Sequence, residues 1–193
     1  VYMRLIYILI ATGILAVGML WLGKLQLIRK RTALISAILS LGIGGSLLLM
    51  AVLPGNSFYG ETITSVQVPN GKKLVALTFD DGPYPPYTQK LLAVLEKKQV
   101  KATFFMVGNN AVKNPEVVTL VTSKGHEVAL HAEEHKDFLK LNEQELVGNI
   151  LRGKKLLEEL TGKPVKYLRP PHGFRDWAVM EAASDAGLKV VNW

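Results

Sequence analysis

Two uncharged apolar runs, Leu5–Leu22 and Ala33–Leu53, flank a short segment whose only charges are basic, and no other feature constrains this chain as strongly. The runs are 18 and 21 residues long. At 1.5 Å per helical residue the second reaches about 31 Å, the thickness of a bilayer core. Between them, Gly-Lys-Leu-Gln-Leu-Ile-Arg-Lys-Arg-Thr holds four basic residues and no acid. The pattern predicts a hairpin of two transmembrane helices, because basic loops stay on the cytoplasmic side. The loop 24–31 is then cytoplasmic, and Val1 and everything after Leu53 face outward. That is a two-pass protein with the lipid bilayer as its first partner. A buried core helix does not account for two such runs around a purely basic loop, and no small-x-small cleavage site follows Leu53. Gly42–Gly45 is a candidate helix-packing face.

A net charge of +7 over 193 residues suggests a nucleic-acid partner until the charge is located. Arg4, Lys24, Arg29, Lys30 and Arg31 are the only charged residues up to Leu53, so the hairpin carries +5. Beyond it, 18 basic residues face all 16 acidic ones. The remainder is nearly neutral, and no nucleic-acid partner is expected. The absence of cysteine removes disulfide scaffolds, thiolate metal sites and cysteine nucleophiles.

Three regions follow: the hairpin at 1–53, a turn-rich linker at 54–71 without helical period, and a domain at 72–193. In the domain, apolar strand-like runs alternate with helical patterns. Strands are expected at Lys73–Phe79, Ala102–Val107, Glu127–Leu130, Val165–Leu168 and Leu188–Trp193. Helices are expected at Thr88–Gln99, after an Asn114 cap with Pro115 in the first turn, after an Asn142/Glu145 capping box, and at Asp176–Ala186 before Gly187. Repeated βα units imply an α/β fold with a parallel sheet or barrel, and place chemistry at the carboxyl ends of the strands.

Polar clusters stand at those ends. Thr78-Phe79-Asp80-Asp81-Gly82-Pro83 closes the first strand, His131-Ala132-Glu133-Glu134-His135 the third, and Arg169-Pro170-Pro171-His172-Gly173 the fourth. Two histidines four apart face one way if their segment is helical, and one aspartate then completes a two-His, one-Asp metal site. Neighbouring side chains diverge, so of Asp80 and Asp81 one is expected as ligand and the other as free base. Singly, each string reads as a turn, a solvated helix face or a rigid connector; their order, each after an apolar strand, makes a site.

On these three motifs the chain resembles the polysaccharide deacetylase family, carbohydrate esterase family 4, over about residues 72–193. The resemblance implies a distorted (β/α) barrel that hydrolyses acetyl groups, mostly N-acetyl, on a polysaccharide such as peptidoglycan or a chitin-like GlcNAc polymer, releasing acetate. It further implies Asp80 as catalytic base, Arg169 orienting it, and one divalent metal, most often zinc, held by Asp81, His131 and His135. Pro170, Pro171, His172 and Gly173 would bind the sugar, with the His172 backbone N–H facing the oxyanion. Two departures stand inside the motifs: Ala132 replaces Ser or Thr, and His172 replaces an aromatic residue.

The family pattern continues with an Asp-Trp motif and a Leu-x-His motif that supplies the general acid. The sequence stops before both. The expectation is therefore a barrel incomplete at its C-terminal end with an open edge at the last strand, part of a longer product and with little activity of its own. His126 is expected to be structural. A catalytically impaired glycan-binding membrane protein of the same fold is the alternative. A two-His, one-carboxylate iron oxygenase is a third, which the βα alternation disfavours.

Overall fold

The computed structural model describes residues 4–68 and 74–193. Val1, the expected boundary between 71 and 72, and Lys73 lie outside them. Both apolar runs are helical: α1 spans Leu5–Lys24 and α2 spans Lys30–Val52. Both are long and apolar enough to cross a membrane, and little of either is buried. They pack along small residues, with Ala33, Ala37, Ser40, Gly44 and Ala51 of α2 buried at spacings of three, four and seven. A Cβ on Gly44 would come within 2.7 Å of Thr12 Oγ1, while Gly42 and Gly45 face open space. Of the expected packing face, then, Gly44 carries the contact. Ser40 Oγ adds a hydrogen bond to Thr12 O at 2.9 Å, which satisfies its polar group within the pair.

The rest is α/β. Five strands, β1 Thr78–Gly82, β2 Thr103–Val107, β3 Glu127–Ala132, β4 Tyr167–Leu168 and β5 Lys189–Val190, form one parallel sheet in the order of the chain. Helices α3 Tyr87–Lys97, α4 Gly108–Lys113, α5 Pro115–Ser123, α6 Glu143–Thr161 and α7 Trp177–Asp185 connect and cover it. Leu92, Leu95, Val118, Val121, Leu146, Ile150, Leu157, Ala178 and Ala182 turn the helices' apolar sides onto Phe104, Met106, Leu130 and Leu168 of the strands. The Asn142/Glu145 capping box is present, with Glu145 N–H donating to Asn142 Oδ1 at 2.9 Å and Asn142 N–H to Glu145 Oε2 at 3.0 Å. Gly187 follows α7 at φ +68, the left-handed conformation that favours glycine. His126 is buried and accepts the Ala102 N–H at Nδ1, a structural role as expected.

The structure revises several sequence expectations. The first strand begins at Thr78 and runs through the aspartates, and Leu74 and Val75 are exposed. The cause is the ladder: β2 starts only at Thr103, so earlier residues of the apolar run have no strand beside them. Asn114 stands at the N-cap of α5 with Pro115 in the first turn, as expected, but its side chain makes no capping bond; its Nδ2 donates back to Asn110 O at 2.9 Å, because α4, a helix the periodicity did not predict, ends there. The fourth and fifth strands are only two residues long. Pro170 and Pro171, which cannot donate to a ladder, end the fourth. The stretch expected as a linker has no helix or strand in its described residues, 54–68, yet it is fastened. Ile63 makes a parallel bridge to Val191, exchanging bonds with Val190 O and Asn192 N–H at 2.9 Å each. The edge of β5 expected to be open thus has Ile63 beside it.

Candidate active site

All three polar clusters emerge at the carboxyl end of the sheet. The register of β1 against β2 breaks between Phe79 and Gly82, and Asp81 sits at φ +67. Aspartate tolerates this left-handed conformation better than most residues. The kink sends the two adjacent carboxylates to different partners. Asp80 Oδ1 accepts from Arg169 Nη1 at 2.7 Å. Asp81 Oδ1 lies 3.3 Å from both His131 Nε2 and His135 Nε2. Asn110 of α4 fixes the kink by donating to Asp81 O at 3.1 Å.

The two histidines do not share a helix; as expected, their cluster ends the third strand. His131 stands on β3 and His135 in the loop beyond, so the loop brings their rings to 5.0 Å. That loop is held from behind by α6. Asn149, buried, accepts Glu133 N–H at 2.8 Å and donates to Glu134 O at 3.1 Å. Gly153, one turn on, lets the helix touch the loop: a Cβ there would lie 2.7 Å from Glu133 N and 2.8 Å from Leu130 Cδ1. Gly153→Ala is therefore expected to cost about 1–3 kcal/mol, read as a lower unfolding midpoint, and to weaken metal binding by displacing His135.

The donor set fits a divalent metal. His131 Nδ1 donates to Arg169 O at 2.7 Å, which leaves Nε2 as a bare acceptor facing Asp81. Burial pushes the His131 pKa down, outweighing the opposing pull of Asp80, the Arg169 carbonyl and Asp81. A neutral imidazole nitrogen and a carboxylate oxygen, both lone-pair donors, would be held together by a cation between them. Ligands about 2.0–2.1 Å from a tetrahedral zinc lie about 3.3–3.4 Å apart, and Asp81 Oδ1 is 3.3 Å from each histidine nitrogen. The carbonyl behind His131 is the outer partner that orients a metal-binding imidazole. Among the described residues, Asp81, His131 and His135 are the cluster with this geometry.

Arg169 is buried, and its guanidinium lies over two aromatic rings. Its Cζ is 4.1 Å from the Phe105 centroid and 5.1 Å from that of Trp193. Nη1 also donates to Thr78 Oγ1 at 2.9 Å. A rigid, desolvated guanidinium of this kind holds Asp80 in place through a charge-assisted bond. Of the expected sugar-binding residues, Pro170, Pro171 and Gly173 are buried, whereas His172 is exposed with its ring 5.1 Å from that of His135.

Sequence reasoning missed Thr78, Phe105, Asn149, Gly153 and Trp193 as supports, and Tyr84 and Tyr87 as walls. The two tyrosines are exposed and stacked, 5.7 Å apart, beside Asp80 and Asp81 in a cavity of about 330 Å³. Tyr84 is fixed by the Thr88 hydroxyl, which accepts its N–H at 2.9 Å. The available signals were a Tyr-x-x-Tyr directly after Asp-Asp-Gly-Pro, and an Asn and a Gly on the apolar face of α6.

The family model described as polysaccharide deacetylase matches residues 67–191. A peptidoglycan-N-acetylglucosamine deacetylase of Bacillus cereus is 39% identical over 127 residues, covering 66% of this chain and 59% of that protein. Among solved structures, the peptidoglycan deacetylase PdaC from Bacillus subtilis superposes with a TM-score of 0.60 at 32% identity, covering 65% of this chain and 61% of that one. A CE4 family pseudoenzyme from Bacillus anthracis gives a TM-score of 0.60 at 29% identity, over 64% of this chain and 44% of that one. This chain spans less than two thirds of the length of each of the three. The likeness fits the parallel sheet order found here. By the extent of the family match, and with its three motifs gathered at one end of one sheet, the chain belongs to the polysaccharide deacetylase family.

Proposed function

We propose that this protein is a metal-dependent deacetylase of an N-acetylated cell-wall or extracellular polysaccharide, peptidoglycan or a chitin-like GlcNAc polymer, held on the outer side of a membrane by its hairpin. The observation that carries the reading is the division of labour between adjacent aspartates, one on Arg169 and one on two histidines. A zinc or similar ion on Asp81, His131 and His135 would supply Lewis-acid polarisation of the acetyl carbonyl and acidification of water.

The chain's own groups would do the rest. Asp80 keeps Oδ1 on Arg169, so Oδ2 is the oxygen that takes a proton from the attacking water. Arg169, bonded to Thr78 and Asp80, holds that carboxylate in place. The His172 peptide N–H would stabilise the oxyanion that develops on the acetyl oxygen. Tyr84 and Tyr87 offer an aromatic wall to the sugar beside it. The hairpin supports a two-pass topology with loop 24–31 in the cytoplasm, and the nearly neutral domain gives no support to a nucleic-acid partner.

The test is acetate release from purified peptidoglycan and from GlcNAc oligomers by the protein stripped with a chelator and then reloaded with zinc. Release that falls to background on stripping and returns on reloading is the expected result. The likeness to a pseudoenzyme favours a second reading, a glycan-binding protein of the same fold without turnover. Saturable glycan binding with no acetate released by the zinc-loaded protein would select it.

A further inference from the structure

Arg175 and Asp176 have no part in the chemistry above, yet both are fully buried and both bind the open end of the hairpin. Asp176 Oδ1 accepts Val179 N–H at 3.1 Å, capping α7, and Oδ2 accepts Leu5 N–H at 3.0 Å, capping α1. Arg4, just before α1, places Nη1 3.6 Å from the same carboxylate and donates through Nη2 to Phe138 O. Arg175 takes the opposite pole. Its backbone N–H donates to Ala51 O at 3.1 Å, and its Nη2 to Leu53 O at 2.7 Å, Pro54 O at 2.9 Å and Asn56 O. The carbonyls of Ala51 and Leu53 are among those that the end of α2 leaves without intrahelical partners. A carboxylate thus sits at a helix N-terminus and a guanidinium at a helix C-terminus, each the sign that the helix dipole favours. Leu5, Ala51 and Tyr59 form a buried apolar cluster at this junction, with Leu139, Trp177 and Met180 packed against it.

The second terminal nitrogen of Arg175 points the other way. Nη1 donates to Gly173 O at 3.0 Å, and Asn192 Nδ2 donates to the same carbonyl at 3.2 Å. Gly173 follows His172, whose φ of +60 is a conformation that a non-glycine residue keeps only where its surroundings impose it. One buried side chain therefore joins the outer end of α2 to the loop that sets His172 beside His135.

We propose that Arg175 is a positioning residue: it seats the domain on the outer end of the hairpin and, through the Gly173 carbonyl, makes that seating hold the His172 loop. The hairpin is then part of the scaffold of the site and not a tether. The consequence for turnover rests on the deacetylase reading; the consequence for the loop does not.

The chain lacks cysteine, so Leu48→Cys and Glu181→Cys, both at exposed positions, accept a pair of spin labels in the full-length protein in lipid nanodiscs. Arg4→Gln loosens the seat from the hairpin side and leaves every group of the domain in place. It is expected to broaden the distance distribution and to speed amide exchange at His172, Gly173 and Phe174 roughly tenfold, with bound zinc unchanged. On a GlcNAc oligomer kcat falls by a similar factor while KM holds. Arg175→Gln gives the same changes more strongly, and Arg175→Lys, which keeps the charge, recovers part of them. Broadened distances with wild-type exchange in the loop would overturn the coupling, and unchanged distances in Arg4→Gln would overturn the seat. If Arg175→Gln does not fold, the two Arg4→Gln measurements decide alone. A wild-type protein that releases no acetate defeats the deacetylase reading, while distances and exchange still test the coupling.

Discussion

Asp80→Asn is expected to lower acetate release from a GlcNAc oligomer by about 10²–10⁴-fold, the usual contribution of a general base, with bound metal at the wild-type level. Asparagine keeps an oxygen that can accept from Arg169 Nη1, so the guanidinium, bonded also to Thr78 and packed on Phe105 and Trp193, stays in place. What the substitution removes is the negative charge and the proton acceptor at Oδ2. Turnover and metal stoichiometry, measured on one preparation, check it. Activity retained with metal lost would reverse the roles assigned to the two aspartates.

The second large effect is on the metal itself. His135→Ala and His131→Ala are each expected to weaken zinc binding by more than about 100-fold, the upper end for loss of a mere outer-shell partner. The two variants should separate on stability. The His135 side chain is 35% exposed and its truncation leaves the fold intact. His131 is buried, and its Nδ1 is the donor that satisfies Arg169 O, so His131→Ala leaves a cavity and an unpaired carbonyl behind β4. Zinc titration together with thermal unfolding of the metal-free proteins distinguishes the cases. Equal loss of stability in both would show that the His131 bond to Arg169 contributes little.

The elements with strong local signals were legible. The two runs of the hairpin, the capping box at Asn142 and the helix stop at Gly187 depend on neighbours within a turn, and they formed where expected. The first strand was misplaced because its pairing depends on where β2 begins, some 25 residues later, and not on its own apolar residues. How His131 and His135 come together depended on distant pairing in the same way. Spacing four apart suits a helix, but β3 continues through Ala132 under the pairing of Val107 with Ala132. The supports from α6 were invisible because an Asn and a Gly on an apolar face announce a contact without naming the loop they touch.

By itself, the sequence determined the chemistry on offer: two carboxylates, two histidines and an arginine at strand ends, a nearly neutral domain, and a hairpin with the means to enter a bilayer. Composition and local periodicity suffice for that, since they set which groups exist and which faces are apolar. Which aspartate meets which partner was open to composition and spacing and implied only by the family resemblance; the tertiary structure shows how they part, through a backbone kink at Asp81 that no neighbouring residue requires. It likewise decided that the stretch after the hairpin is fastened and that Arg175 and Asp176 cap helices more than 100 positions away in the chain. Bonds of that reach are made by burial and the need to satisfy orphaned helix ends, and they acquire a partner only once the sheet has brought distant segments together.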